Sequence, residues 1–327
     1  MKIKEFIKEN YKFIILMIMI VLFFNIKLPY YIMAPGGTIN ITDRVVRDNY
    51  NKSSKGSLNM LYVSEYEGTP ASLLMAKLKS YDIENNKDRQ ISNESVKEIN
   101  RRNTIMRDNS LDIATMVAYT EAGKDIKIKS KKNVVIARTK DNGLEVGDII
   151  ISADGKESDN VSDIRKIINT KNENDTIKFK VLRNNKEIEV DSKIYLEDNS
   201  KVVGVIIITE YDYDINPKVD IKFKNSESGA SGGLMLTLTI YNAITDEDII
   251  KNRKIAGTGT ISFDGTVGEI DGIKYKIMGA AKDNVDIVFV PTAIYEEAVM
   301  TKNKYKYDLD IVRVDTFKEA IEYLKNN

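Results

Sequence analysis

Ser231 stands in the segment Gly229-Ala230-Ser231-Gly232-Gly233, a hydroxyl framed by glycines and followed at once by the apolar run Leu234 to Ile244. Glycine lets a backbone come close to what it binds, and the start of a helix presents unpaired N–H groups and a positive dipole end. Those are the donors a developing oxyanion needs, so the chemistry within reach is attack of a serine oxygen on a carbonyl carbon. Taken alone, the segment is equally well a flexible turn. Ser231 becomes a nucleophile only if another group removes its proton.

The chain has no histidine and no cysteine among its 327 residues. Imidazole bases, thiolate nucleophiles, disulfides and His/Cys metal sites are excluded together. The serine also fits a G-x-S-x-G elbow of the α/β-hydrolase kind, but such enzymes need a triad histidine. The base must be Lys, Asp, Glu or a terminal amine. Lysine qualifies if burial lowers its pKa enough to leave it neutral near pH 7. Ile273, Ile277, Ala280 and Ala281 make an apolar stripe on a helix expected over 273–281, and Lys276 falls within it. Lys274 lies about 200° around the helix from Lys276. A lysine on a buried face is costly unless used or paired. The alternative is an amine that reaches the edge of the stripe. No metal site and no cofactor are expected.

These residues need elements to hold them. Val203 to Ile208 and Val219 to Phe223 read as strands, and Ile255 to Ile261 with Thr266 to Ile270 as a hairpin across Asp264-Gly265. The strand DIVFVP, a helix from Ala293, the strand LDIVRV and a helix capped by Asp315 complete a mixed α/β unit. Earlier in the chain, Ile39 to Val46 and Leu61 to Glu67 read as strands, and Thr69-Pro70 starts a helix. Glu84 to Asn103 reads as a polar loop or exposed helix. Ser110 is the expected cap of a helix that Gly123 stops.

The charges balance, with Lys+Arg 49 and Asp+Glu 49, which gives no reason to expect nucleic-acid binding. The basic run Lys127 to Lys132 reads as a solvated face. Phe13 to Phe24 is an unbroken apolar run between Lys12 and Lys27, continued by Leu28 to Met33. Phe13 to Ile26 covers about 21 Å as helix, short of a bilayer core of roughly 30 Å, and flanking lysines and tyrosines can close the gap. A cleaved signal peptide and a buried helix are the alternatives. Lys2, Lys4, Lys8 and Lys12 precede the run, so an anchor would leave the N-terminus in the cytoplasm and later residues outside. Residues 13–33 are the expected lipid contact.

Between Ile126 and Ile194 the texture changes. GLEVGDIIISADGK, a helix capped by Ser162 with Ile164, Ile167 and Ile168 on one face, and a hairpin at Asn184-Asn185 resemble a bacterial PDZ domain. The resemblance implies extended peptides bound by strand addition; the loop that grips a peptide carboxylate would lie near Lys129 to Asn133, where its glycine-rich form is missing. SGASGGL, then AGTGTISFDGTVGEIDGIKYK and its helix, resemble the proteolytic domain of Lon-type serine proteases. That resemblance makes Ser231 the nucleophile, Lys276 its partner and Thr258 the residue that orients the lysine, with Gly229, Ala230 and Gly232 shaping the oxyanion turn. Ala230, Gly232, Ser228, Thr260 and Asp271 depart from the family's usual residues.

The order of anchor, PYYIMAPGG, helical region, PDZ-like and Lon-like units is similar to that of membrane-anchored Lon-like proteases acting outside the cytoplasm of Gram-positive bacteria. The expected divisions are 1–35 cytoplasmic tail and anchor, 36–125 strands and helices packing on the protease, 126–200 PDZ-like, and 201–327 Lon-type proteolytic domain. The fold class is mixed α/β behind a single transmembrane helix. There is no G-x-x-x-x-G-K-[ST] phosphate loop, so no nucleotide is expected. The resemblance implies an ATP-independent endopeptidase for secreted peptides or membrane-associated proteins. Its rivals are an inactive peptide-binding scaffold and a structural tether of the cell envelope.

Overall fold

The computed structural model describes residues 2–47, 55–91 and 94–327. Eight α-helices lie among them: α1 (Lys2–Asn25), α2 (Pro70–Leu78), α3 (Val96–Glu121), α4 (Val161–Asn169), α5 (Gly233–Ile244), α6 (Ile273–Lys282), α7 (Tyr295–Tyr305) and α8 (Phe317–Asn326). The larger body is built on a six-stranded sheet in the order Asp310–Val314, Ile287–Pro291, Lys254–Gly257, Ser57–Glu67, Tyr30–Asn40, Asp82–Asn85. The first four run parallel and the last two join antiparallel.

Parallel strands are covered on both faces, which is why Ile255, Ala256, Val288 and Phe289 are all fully buried. Leu58 and Met60 pack with α3, α5 and α8 through Ala114, Leu238 and Phe317. Leu61 faces the other way, with α6 and α7 through Ile273, Ile277 and Ala298.

The second sheet runs Val205–Asn216, Asp125–Arg138, Ile149–Ala153, Thr176–Arg183, Lys186–Lys193. Its own core joins Val135, Phe179 and Val181 to Ile164 and Ile168 of α4. Asn184 and Asn185 turn the hairpin with φ of 50° and 61°, the left-handed pair that a two-residue turn requires.

Several boundaries differ from the sequence reading. Val203 to Ile208 does not belong to the last unit. It opens the strand Val205–Asn216, which pairs with Asp125–Arg138 from Val205↔Arg138 to Asn216↔Asp125. Residues 30–35 are sheet rather than anchor, and Ile32 is fully buried. Ile39 to Val46 breaks into the end of one strand, a 3-10 turn at Thr42–Arg44 and the short strand Val45–Val46. Part of Glu84 to Asn103 is the start of α3, capped by Ser95 and Glu98 bonding each other's backbone N–H, so Ser110 lies inside that helix. The 92–93 part of that stretch lies outside the described residues.

Asn160, not Ser162, occupies the N-cap of α4, and Thr316, not Asp315, caps α8. The expected long hairpin is cut at Gly259, whose φ of 143° only glycine adopts readily; Thr260–Ile261 and Val267–Gly268 remain paired. In α1 the apolar residues Phe13 and Ile15 to Phe24 are exposed, and Lys8, Glu9 and Lys12 precede them closely. Among the described residues no helix is long and apolar enough to cross a membrane.

Candidate active site

Ser231 lies two residues ahead of α5, in a turn that no side chain caps. The helix dipole points its positive end at this turn. The first two helical N–H groups are already used, Leu234 donating to the Gly259 carbonyl at 3.1 Å and Gly233 to that of Ala230. Gly229 holds the turn with φ of 88° and donates its N–H to the carbonyl of Asn103 at 2.9 Å. The carbonyl of Ala230 accepts from Ser110 Oγ at 3.3 Å and from the Gly233 N–H at 3.2 Å. Behind the turn, the carbonyl of Ser231 accepts from the Gly259 N–H at 2.9 Å and from Thr258 Oγ1 at 3.1 Å.

Thr258 is also the partner of the lysine. Lys276 Nζ donates to Thr258 Oγ1 at 2.9 Å, while Thr258 spends its own proton on the Ser231 carbonyl. One hydroxyl therefore ties the amine to the backbone of the serine. Lys276 is 3% exposed, and burial pulls its pKa down to about 8, against the opposing carboxylates of Asp271 and Glu65. Lys274 faces outward, bonding Asp82 Oδ1 at 3.2 Å and Ser80 O at 3.3 Å. The helix-stripe expectation holds for both lysines.

Ser231 and Lys276 line one cleft of about 1180 Å³, together with Gly229, Ala230, Gly232 and Asp271. Its far wall comes from α3 and from residues the sequence reading did not single out. Arg107 of α3 donates to the Glu227 carbonyl at 2.8 Å and lies over the Phe223 ring at 5.0 Å. The Glu227 carboxylate pairs with Arg44 and accepts from the Lys224 N–H at 2.9 Å. Burial pushes that carboxyl up, but Arg44 and the backbone N–H more than offset it, and it sits below its ordinary value. The stretch leading into Ser231 is thus fastened at Glu227, Gly229 and Ala230. A sequence signal did exist: Ser95-Val96-Lys97-Glu98 is a capping box that starts α3 early enough to reach the turn. Among the described residues no group of three or more acidic side chains could hold a metal ion.

Residues 220–326 match the Lon protease (S16) C-terminal proteolytic domain, and residues 119–194 match the PDZ domain. The chain carries a Lon-type proteolytic domain and a PDZ domain. The first is a serine-type peptidase domain. The Lon protease of Mesomycoplasma hyopneumoniae is 31% identical over 98 residues, 30% of this chain and 11% of that protein. The archaeal Lon protease of Halobacterium salinarum is 29% identical over 129 residues, 38% of this chain and 18% of that protein. This chain thus spans under a fifth of the length of either relative. Among solved structures, the PDZ domain of an SdrC-like protein from Listeria monocytogenes is 20% identical, covering 25% of this chain and 93% of that one, with a TM-score of 0.24.

One departure of the Lon-type domain from its family has a packing reason. A Cβ on Gly232 would stand 2.3 Å from Met60 Sδ, so the space an alanine methyl needs is filled by Met60. The second sheet has two edge strands, Val205–Asn216 and Lys186–Lys193, and the strand bearing Lys129 to Asn133 lies inside it. The start of Val205–Asn216 lies beside α4, with Ile206 40% exposed and Gly204 turning ahead of it at φ of 70°. Lys129 to Asn133 is therefore paired strand and not the loop expected there.

Proposed function

We propose that this chain is an ATP-independent serine endopeptidase in which Ser231 attacks the scissile carbonyl and Lys276 acts as general base. The observation that carries the reading is the buried amine of Lys276 held at 2.9 Å by Thr258, whose hydroxyl is in turn bonded to the Ser231 backbone. Neutral Lys276 takes the Ser231 proton as the Oγ–carbon bond forms, and the turn ahead of α5 receives the oxyanion. The ammonium then returns its proton to the departing amine as the C–N bond breaks. Water hydrolyses the acyl-enzyme by the same proton path.

The edge strand at Val205 to Ile208, beside α4, suits an extended peptide added to the second sheet as a further strand. The substrates are secreted peptides or membrane-associated proteins. The exposed apolar helix from Phe13 to Phe24, with residues to Met33 near the surface, anchors the chain with its N-terminus in the cytoplasm and the folded part outside. The lysines before Phe13 support that orientation.

The test is cleavage of an unfolded protein by the full chain and its variants. Ser231→Ala and Lys276→Ala should both abolish it, and Lys274→Ala should leave it unchanged. A folded Lys276→Ala protein that retains activity would refute the dyad. A tag after Asn327 that resists protease added to intact wall-stripped cells would refute the topology.

A further inference from the structure

Helix α2 presents its apolar side to the outside. Ala76 is fully buried against the sheet, whereas Leu74, Met75 and Leu78 are 53%, 48% and 73% exposed. Leu74 and Leu78 are one turn apart and Met75 lies about 100° around, so the three form an outward stripe. Lys77 and Lys79 flank it and are exposed too. A surface helix of a water-bathed domain shows the reverse pattern, whereas this one has the layout of a helix lying in a bilayer interface. Ile83 and Tyr66, the register partners of Ile32 on either side of one strand, are exposed as well.

The position of α2 is fixed relative to α1. The two helices touch. Leu28 donates its N–H to the Gly68 carbonyl at 2.8 Å, and Gly68 donates to Tyr30 at 2.7 Å. The residues leaving the apolar helix are therefore pinned to those entering α2, whose start is locked by Thr69, Pro70 and Ser72. The apolar run of α1 covers only about 18 Å against a hydrocarbon core of roughly 30 Å, and a short span draws its flanking surface toward the headgroups.

We infer that α2 is a second membrane contact, lying in the headgroup region of an anionic bilayer beside the exit of α1, with Leu74, Met75 and Leu78 inward and Lys77 and Lys79 on the phosphates. It rests on the anchored reading above. A second copy of the chain could cover the same stripe. The tether through Gly68 and the flanking lysines favour lipid.

The absence of cysteine makes the test direct, because any cysteine introduced is unique. Full chains bearing Ile18→Cys, Leu78→Cys or Asn185→Cys are labelled with a polarity-sensitive fluorophore in nanodiscs of phosphatidylcholine and phosphatidylglycerol. Brominated lipid serves as quencher. The labels at 18 and 78 should both shift to the blue and lose emission to bromolipid, while the label at 185 behaves as in water. Replacing phosphatidylglycerol with phosphatidylcholine should weaken the effect at 78 and leave that at 18. Quenching at 18 with a water-like label at 78 would overturn the α2 contact and leave the anchor standing. Quenching at 78 without quenching at 18 would support the contact and refute the anchor. A blue shift at 78 that bromolipid does not quench would overturn the proposal in favour of a second copy.

Discussion

The pKa of about 8 at Lys276 makes a quantitative demand on rate. Suppose only the neutral amine accepts the serine proton. The competent fraction is then about 1% at pH 6, about 9% at pH 7, half at pH 8 and about 90% at pH 9. The value of kcat/KM should therefore climb about tenfold per pH step below 7 and level off above 9. A lysine left at its ordinary 10.5 would supply about 0.03% neutral amine at pH 7, so burial enriches the working base about 300-fold. Replacing Lys276 with Arg removes the effect altogether, because guanidinium stays protonated at any usable pH.

The assay is hydrolysis of a fluorogenic peptide, with labelling of Ser231 by a fluorophosphonate as a check on acylation alone. A profile flat from pH 6 to 9, or an active Lys276→Arg, would refute the reasoning. The enrichment is offset in stability. A drop from 10.5 to about 8 corresponds to about 3 kcal/mol against the folded ammonium. Between those pH values the unfolded chain holds the proton and the folded chain does not, so stability should rise with pH across that window. Lys276→Met should accordingly be inactive yet more stable than the parent at pH 7, by up to about 3 kcal/mol in denaturant titration.

Asp271 opposes the depression of Lys276, so Asp271→Asn should move the midpoint of the pH–rate profile downward and raise the relative rate at pH 6. An unmoved or raised midpoint would show that the carboxylate does not act on the amine. Gly232→Ala should cost about 1–3 kcal/mol and slow acylation, because its methyl meets Met60 Sδ; adding Met60→Val should recover much of both, as read by melting and probe labelling.

The site was legible where periodicity and residue type converged. Lys276 could be picked from Lys274 because a 3.6-residue repeat of Ile273, Ile277 and Ala280 leaves only one of them inward, and the absence of histidine forced the question. The Ser231 turn was legible for the same reason its glycines were: few other residues allow a chain to start a helix so close to a ligand. Side-chain clasps across the chain were not legible. Arg44 and Arg107 meet near Glu227 from segments far apart in sequence, and nothing local about an arginine announces its partner. The strand Val205–Asn216 was misplaced because its apolar run fits either sheet. Only its pairing with Asp125–Arg138 decides between them, and pairing is a long-range property.

That pairing has a consequence for how the chain is partitioned. The second sheet leaves the catalytic body at Asp125 and returns at Asn216, and these two residues are register partners. Entry and exit thus share one doorway. The catalytic body is a split domain, with strands Tyr30–Asn40, Ser57–Glu67 and Asp82–Asn85 supplied before the doorway and Lys254–Gly257, Ile287–Pro291 and Asp310–Val314 after it. A match confined to residues 220–326 therefore sees only the later portion of one sheet. Cutting at Ile126 and Ile194 would strand Val205–Asn216 without its mate. The natural scissor line runs from Lys124 to Pro217, where a short linker could close the gap and leave the Ser231 turn its grip on α3.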